Sequence, residues 1–259
     1  MPAPFLLFHG GVVMVAIYLY SGTPGSGKSL RATYKIIQWL RKGKNVIANF
    51  PIDMDYFKGK KVGNFTYKPN DELTVDYLVQ YAQKHHKRST KAQTLVVIDE
   101  CGSIFNCRQW ENKDRQKWIN FMGLHRHFNY DVVLISQSDR LIDRQIRAFI
   151  ETEYKHRALK NYKLFGQILS LVFGGLFVSV EYWYGPNLKC GSEFFLLNRR
   201  KARIYDTMKM FESGGKVDAN SKNKQSVPAD QQAAVVQNAE TGIENNSLSL
   251  SVPISESGV

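Results

Sequence analysis

Apolar runs recur along this chain at two lengths, and their order alternates strand with helix. Met14-Val15-Ala16-Ile17-Tyr18-Leu19-Tyr20 is continuously apolar and predicts a buried strand. Leu30 to Leu40 predicts a helix that Gly43 stops. Asn45-Val46-Ile47-Ala48-Asn49-Phe50 predicts a second strand, ended by Pro51. A polar stretch follows, in which Phe57 to Lys61 predicts an exposed hairpin or loop. Asn70 then caps a helix with Leu73, Tyr77, Leu78 and Tyr81 on one face. Leu95-Val96-Val97-Ile98 predicts a central strand buried on both faces. A helix over Arg115–Phe128 brings Trp118, Phe121, Met122, His125 and Phe128 near one face, a core stripe. Asp131 to Ile135 predicts a further strand that turns polar at Ser136 and Gln137, and Asp139–Ile150 predicts a helix.

Leu164–Val180 is strongly apolar and follows Lys155, Arg157, Lys160 and Lys163, so it invites comparison with a membrane span. Phe177–Tyr184 alternates like a strand, however, and Glu181 interrupts before a bilayer is crossed. The favoured expectation is a β-rich extension with Gly174-Gly175 as a hairpin turn. The division expected is a leader at 1–13 with Met14 as an alternative start, a core at 14–150, an extension at 151–212, and a disordered polar tail at 213–259.

The chemistry sits where the apolar runs end. Gly22-Thr23-Pro24-Gly25-Ser26-Gly27-Lys28-Ser29, followed by Leu30, lies between the first strand and the first helix. That spacing is a phosphate-binding loop (Walker A): its glycines let backbone N–H groups wrap phosphates, and the helix N-terminus adds a favourable dipole. Lys28 would reach the β- and γ-phosphates of ATP, and the Ser29 hydroxyl would help hold Mg²⁺. The Leu95 strand delivers Asp99 and Glu100 to its C-terminal end, where α/β sheets bind ligands. Asp99 is the expected metal residue and Glu100 the group that polarises the attacking water. Gln137 fits a γ-phosphate sensor, with Ser136 the weaker candidate. Arg140, Arg144 and Arg147 follow, and Arg140 and Arg144 are candidates for an arginine that stabilises phosphoryl charge, often across a subunit boundary. The expected class is α/β, a P-loop NTPase with a mainly parallel sheet in the order 5-1-4-3-2 plus a small β-rich extension.

Composition narrows the setting. Hydrophobic residues at 43% suffice for a sizeable core, which excludes global disorder. The net charge of +12 suits nucleic acid or an anionic membrane face. Cys101, Cys107 and Cys190 are odd in number and too widely spaced for a zinc knuckle, which fits a reducing compartment. The histidine pairs His85-His86 and His125/His127 project to different sides of a helix and do not suggest a shared metal.

Taken together, the phosphate loop, NVIANFPI, LVVIDE and GLHRHFNYDVVLISQSDRLIDRQIR resemble the N-terminal domain of the zonula occludens toxin (Zot) family, which includes gene-I-type assembly proteins of filamentous phages. The resemblance covers Met14 to Phe211, and Lys201 to Thr207 look like the family's closing strand and turn. It implies an inner-membrane ATPase that extrudes single-stranded phage DNA as coat subunits are added. It maps Lys28 and Ser29 onto the phosphate and metal contacts, and Asp99 and Glu100 onto the acidic pair. The implied setting is the host cytoplasm, at the cytoplasmic face of the inner membrane. The implied partners are phage coat and membrane assembly proteins, single-stranded DNA and further copies of the chain in a ring. Family members carry a membrane helix after the ATPase domain, whereas the tail after Gly214 has no apolar span. Two other readings stay open at this level: a DNA translocase or packaging ATPase of the same fold, and a non-hydrolysing adaptor gated by nucleotide.

Overall fold

The computed structural model describes residues 15–87, 89–105, 114–161 and 174–205. Its centre is an eight-stranded sheet. In chain order the elements are β1 (Ile17–Ser21), α1 (Lys28–Arg41), β2 (Asn45–Ala48), β3 (Phe65–Tyr67), α2 (Val75–His85), β4 (Thr94–Ile98), α3 (Arg115–Leu124), β5 (Tyr130–Ile135), α4 (Arg144–Arg147), β6 (Thr152–Ala158), β7 (Leu176–Trp183), β8 (Leu188–Leu196) and α5 (Arg199–Ala202). The strands lie in the order β3-β2-β4-β5-β1-β6-β7-β8. From β3 to β6 every pairing is parallel, and β6, β7 and β8 pair antiparallel. The run β6-β1-β5-β4-β2 is the expected 5-1-4-3-2 order. β5 therefore separates the phosphate-loop strand from the acidic strand.

The strand period of two explains how the core divides. In β4, Val96 and Ile98 pack into the cluster with Leu78 of α2 and Trp118, Phe121 and Met122 of α3. Leu95 and Val97 face the other way, toward Ala32, Ile36 and Leu40 of α1. Every residue of β4 and β5 is buried, as a parallel sheet covered on both faces requires. This packing leaves the C-terminal ends of β1, β4 and β5 side by side.

Several local expectations need correction. Thr74, not Asn70, caps α2: its hydroxyl accepts the Tyr77 amide at 3.2 Å, because a turn at Pro69–Leu73 comes first. Asp139–Ile150 is not one helix. A short 3-10 turn at Asp139–Leu141 is separated from α4 by extended Ile142, and the Asp143 carboxylate then caps Gln145. Lys201–Tyr205 contains the end of α5 and one antiparallel bridge between Tyr205 and Ile52, rather than a closing strand.

Leu164–Phe173, the leader before Val15 and the tail beyond Tyr205 lie outside the described residues. Leu176–Val180, the other part of the apolar segment, is in β7 and pairs with both β6 and β8. Gly174 and Gly175 stand directly before β7, and the residues that precede them lie outside those described; the β7–β8 hairpin turns at Tyr184–Asn187. Among the described residues, no helix is long and apolar enough to cross a membrane.

Candidate nucleotide site

The loop from Gly22 to Gly27 is pressed against neighbouring strands, and two glycines make that approach feasible. Gly22 has φ +140°, and an added Cβ would overlap the His156 carbonyl oxygen of β6. Gly27 has φ +92°, and its Cβ would lie 2.8 Å from the Phe177 ring of β7. Both are conformations that side chains resist. Ser26 N donates to Thr23 O at 3.2 Å, closing the turn. α1 begins at once after Gly27, with no side-chain cap and no acid in its first turn. Its first amides are thus open to an anion, and no carboxylate competes for them. Ser26 Oγ is buried without a hydrogen-bond partner, another donor that a phosphate oxygen would satisfy.

Lys28, at the first helical position, folds its side chain over the loop. Its ammonium donates to Gly22 O at 2.8 Å and Thr23 O at 3.1 Å. Burial lowers its pKa, and the nearby charges of Asp99 and Glu100 oppose that shift. One helical position on, Ser29 Oγ donates to Asp99 Oδ2 at 3.0 Å, joining two groups 70 residues apart. This is the pair expected to hold a metal. Thr23, Pro24 and Gly25 form the exposed crest of the loop, and Leu30 continues α1 at its base.

Asp99 is set by contacts the sequence did not announce. Its amide donates to Asn49 Oδ1 at 2.7 Å, and its carbonyl accepts from Asn49 Nδ2 at 2.8 Å. Asn49 Nδ2 also donates to Asn70 Oδ1 at 2.7 Å, so Asn70 acts here rather than at the helix start. Asp99 Oδ1 accepts the Glu100 amide at 2.8 Å, and Oδ2 accepts the Tyr205 hydroxyl at 2.8 Å. Glu100 itself is exposed, with left-handed backbone at φ +48°. A glutamate there is strained, and it aims its neighbours abruptly out of the strand. Cys101 is fully buried behind it, and burial pushes its thiol up, away from reactivity.

Gln137 lies at the open end of β5, next to the loop: its carbonyl accepts from Gly22 N at 3.4 Å. With Ser21, Thr23, Asp139, Glu153 and Lys155 it lines a cleft of about 450 Å³. Buried Glu153, absent from the sequence-based candidates, accepts from Ser21 Oγ at 2.5 Å. Ser136 is buried and bonds Ser138 O at 2.8 Å. Arg140 and Arg144 are both exposed, on the separate turns after β5, while Arg147 pairs with Asp139 at 3.6 Å. Arg126, in the turn before β5, pairs with Glu151 at 2.8 Å.

The arrangement suits a phosphate chain with a divalent cation. Among the described residues, no three His, Cys, Asp or Glu side chains gather as a metal cluster. A cation at Ser29 and Asp99 would therefore complete its shell from phosphate oxygens and water, as Mg²⁺ commonly does.

Comparison with known proteins gives the chain its family. The chain is 28% identical over 214 residues to the Gene 1 protein of Enterobacteria phage I2-2, covering 77% of this chain and 58% of that protein. It is 31% identical over 138 residues to the Gene 1 protein of Escherichia phage If1, covering 51% of this chain and 38% of the phage protein. The chain thus spans less than two thirds of the length of these relatives. Among solved structures, the N-terminal domain of zonular occludens toxin from Neisseria meningitidis is similar at 18% identity and a TM-score of 0.48, over 74% of this chain and 100% of that one. Residues 16–174, more than half of the chain, match the family described as Zonular occludens toxin (Zot), and the protein belongs to that family.

Proposed function

We propose that the chain is a Mg²⁺-dependent ATPase that drives assembly and extrusion of filamentous phage at the host inner membrane. The observation that carries the reading is the 3.0 Å bond between Ser29 and Asp99 beside the Lys28 ammonium. It joins the phosphate end and the metal end of one site. The likeness to phage Gene 1 proteins supports the assembly role.

Hydrolysis would draw on six contributions from this chain. The loop amides and the α1 N-terminus bind the β- and γ-phosphates. Lys28 exchanges its two carbonyl partners for phosphate oxygens, and the nearby acids favour its charged form. Bound Mg²⁺ would supply charge neutralisation, held by Ser29 and, through water, by Asp99. Glu100 orients a water and accepts its proton as the water oxygen attacks the γ-phosphorus and the bond to the bridging oxygen breaks. Gln137, at the strand end beside Gly22, senses the γ-phosphate, and Arg140 or Arg144 serves a neighbouring copy in a ring. Coat and membrane assembly proteins and single-stranded DNA are the partners this role requires, met at the cytoplasmic face of the membrane.

The test is Mg²⁺-dependent phosphate release by the purified protein beside Lys28→Ala. A fall of about 10³-fold with an unchanged circular dichroism spectrum is expected. Retained hydrolysis would place catalysis elsewhere, and ATP binding without turnover in the parent chain would favour the adaptor reading.

A further inference from the structure

Tyr205 reaches the metal-holding carboxylate from the far end of the described chain. Its hydroxyl donates to Asp99 Oδ2 at 2.8 Å, the same oxygen that accepts Ser29 Oγ at 3.0 Å. The contact is built rather than casual. Ile204 is 2% exposed in the core beside α1, and its carbonyl accepts the Asp53 amide at 2.9 Å. Tyr205 bridges to Ile52, and its ring meets Phe50 edge-on at 4.7 Å. Phe50 and Ile52 follow directly on Asn49, the residue that clamps the Asp99 backbone. The segment Asn49–Ile52 thus clamps the Asp99 main chain and seats the tyrosine that bonds its side chain. A tyrosine phenol is protonated at neutral pH, so it serves as the donor in this bond.

A carboxylate offers about four lone-pair positions. On Asp99, the Glu100 amide takes one, Ser29 a second and Tyr205 a third. Water in the shell of a cation at Ser29 would need the same positions, because Mg²⁺ keeps several waters and meets carboxylates through them. We infer that Tyr205 is a positioning residue that weakens metal binding at this site by occupying an acceptor position on Asp99, so that attachment of the segment around Ile204 and Tyr205 sets the Mg²⁺ requirement. The inference rests on the nucleotide reading above. It adds a residue that neither the loop nor the acidic strand contains, at a point from which the chain runs on toward Val259.

The experiment is a Mg²⁺ titration of fluorescent ATP-analogue binding, without reference to turnover, for the full chain and for Tyr205→Phe. The phenylalanine keeps the ring against Phe50 and removes only the hydroxyl. Half-saturation should occur at about tenfold lower Mg²⁺ in the variant, the lower end of what one hydrogen bond to a charged group contributes. Ile204→Ala, which loosens the segment without touching Asp99, should shift the midpoint in the same direction, and adding Tyr205→Phe to it should bring no further shift. An unchanged or higher Mg²⁺ midpoint in a folded Tyr205→Phe protein overturns the inference while leaving the nucleotide site intact. Analogue binding by the parent chain that ignores Mg²⁺ altogether overturns both.

Discussion

The two arms of the site are held in place by different means. The loop arm, Gly22 to Ser29, is contiguous, and it keeps its shape through backbone conformation and close contact with β6 and β7. The carboxylate arm gathers Asn49, Asp99, Glu100 and Tyr205 from three distant segments, joined by side-chain hydrogen bonds. The consequence is an asymmetry in what each tolerates. Adding atoms damages the loop arm at Gly22 and Gly27, where no space remains for them. Removing a single group changes the carboxylate arm, because each of its bonds is made by one group.

Glu100 gives the largest effect and separates chemistry from shape. Glu100→Gln should lower turnover by about 10³-fold while analogue binding persists, since only the proton acceptor is lost. Rapid-quench measurement of a single turnover checks it, and normal turnover would remove Glu100 from the mechanism. Glu100→Gly should lose turnover equally yet raise the folding stability by about 1 kcal/mol, because φ +48° no longer carries a side chain. On the loop arm the sign reverses. Gly22→Ala should destabilise by about 3–4 kcal/mol, as its methyl meets the His156 carbonyl and φ +140° stays unfavourable. Thermal unfolding reads both variants, and a Gly22→Ala protein as stable as its parent would mean that the loop is not wedged.

The same contact between loop and β6 carries an acid sensitivity. The His156 ring is 1% exposed, packed on Tyr20 at 5.0 Å, with Nδ1 bonded to Tyr154 O at 2.8 Å. Burial pushes its pKa down to about 4 from the usual 6.5. Between those values the unfolded chain binds a proton that the folded chain refuses. Its contribution to stability is therefore complete above about pH 6.5 and falls as the pH drops toward 4, by about 3 kcal/mol in total. Denaturant unfolding at pH 7 and pH 4.5 should show that loss in the parent, and a clearly smaller one in His156→Gln. Equal losses in the two proteins would assign the acid sensitivity to other groups.

How much of this could be read in advance follows the same division. The loop is local, so its residue types, spacing and flanking elements stand together in the sequence. The burial of Leu95–Ile98 and of Val132–Ile135 is likewise written in unbroken apolar runs, which mark them as central strands. The clamp was not legible. Asn49 follows an apolar strand and precedes a proline, where an asparagine reads as an ordinary strand end, and its role appears only when β2 lies beside β4. Tyr205 carries no signal, since a lone tyrosine after a basic turn could face anything. Glu153 was hidden for a related reason: in Thr152–Ala158 polar and apolar residues mix, and burial comes from β7 rather than from pattern. The helix expected over Asp139–Ile150 failed because Asp143 is a better cap than a helix interior residue.

Asn49 offers the finest discrimination between the two arms. In parallel neighbours β2 and β4 the ladder reaches the Asn49 amide, which donates to Val97 O at 3.3 Å. Beyond that rung the Asn49 side chain does the pairing, taking the Asp99 amide and giving to the Asp99 carbonyl. Asn49→Ala strands both groups in a nearly buried position, at a cost of about 2 kcal/mol. It should also raise the Mg²⁺ needed for analogue binding, because Asp99 is no longer held. Asn49→Asp preserves the shape and still accepts from the Asp99 amide. It sets a carboxylate oxygen against the Asp99 carbonyl, however, and adds negative charge beside the Asp99 side chain. The isosteric change should therefore be the more damaging of the two, in unfolding free energy and in Mg²⁺ midpoint alike. An Asn49→Asp protein that matched its parent would show that Asn49 fills space and that the carboxylate arm is held, like the loop, by its backbone.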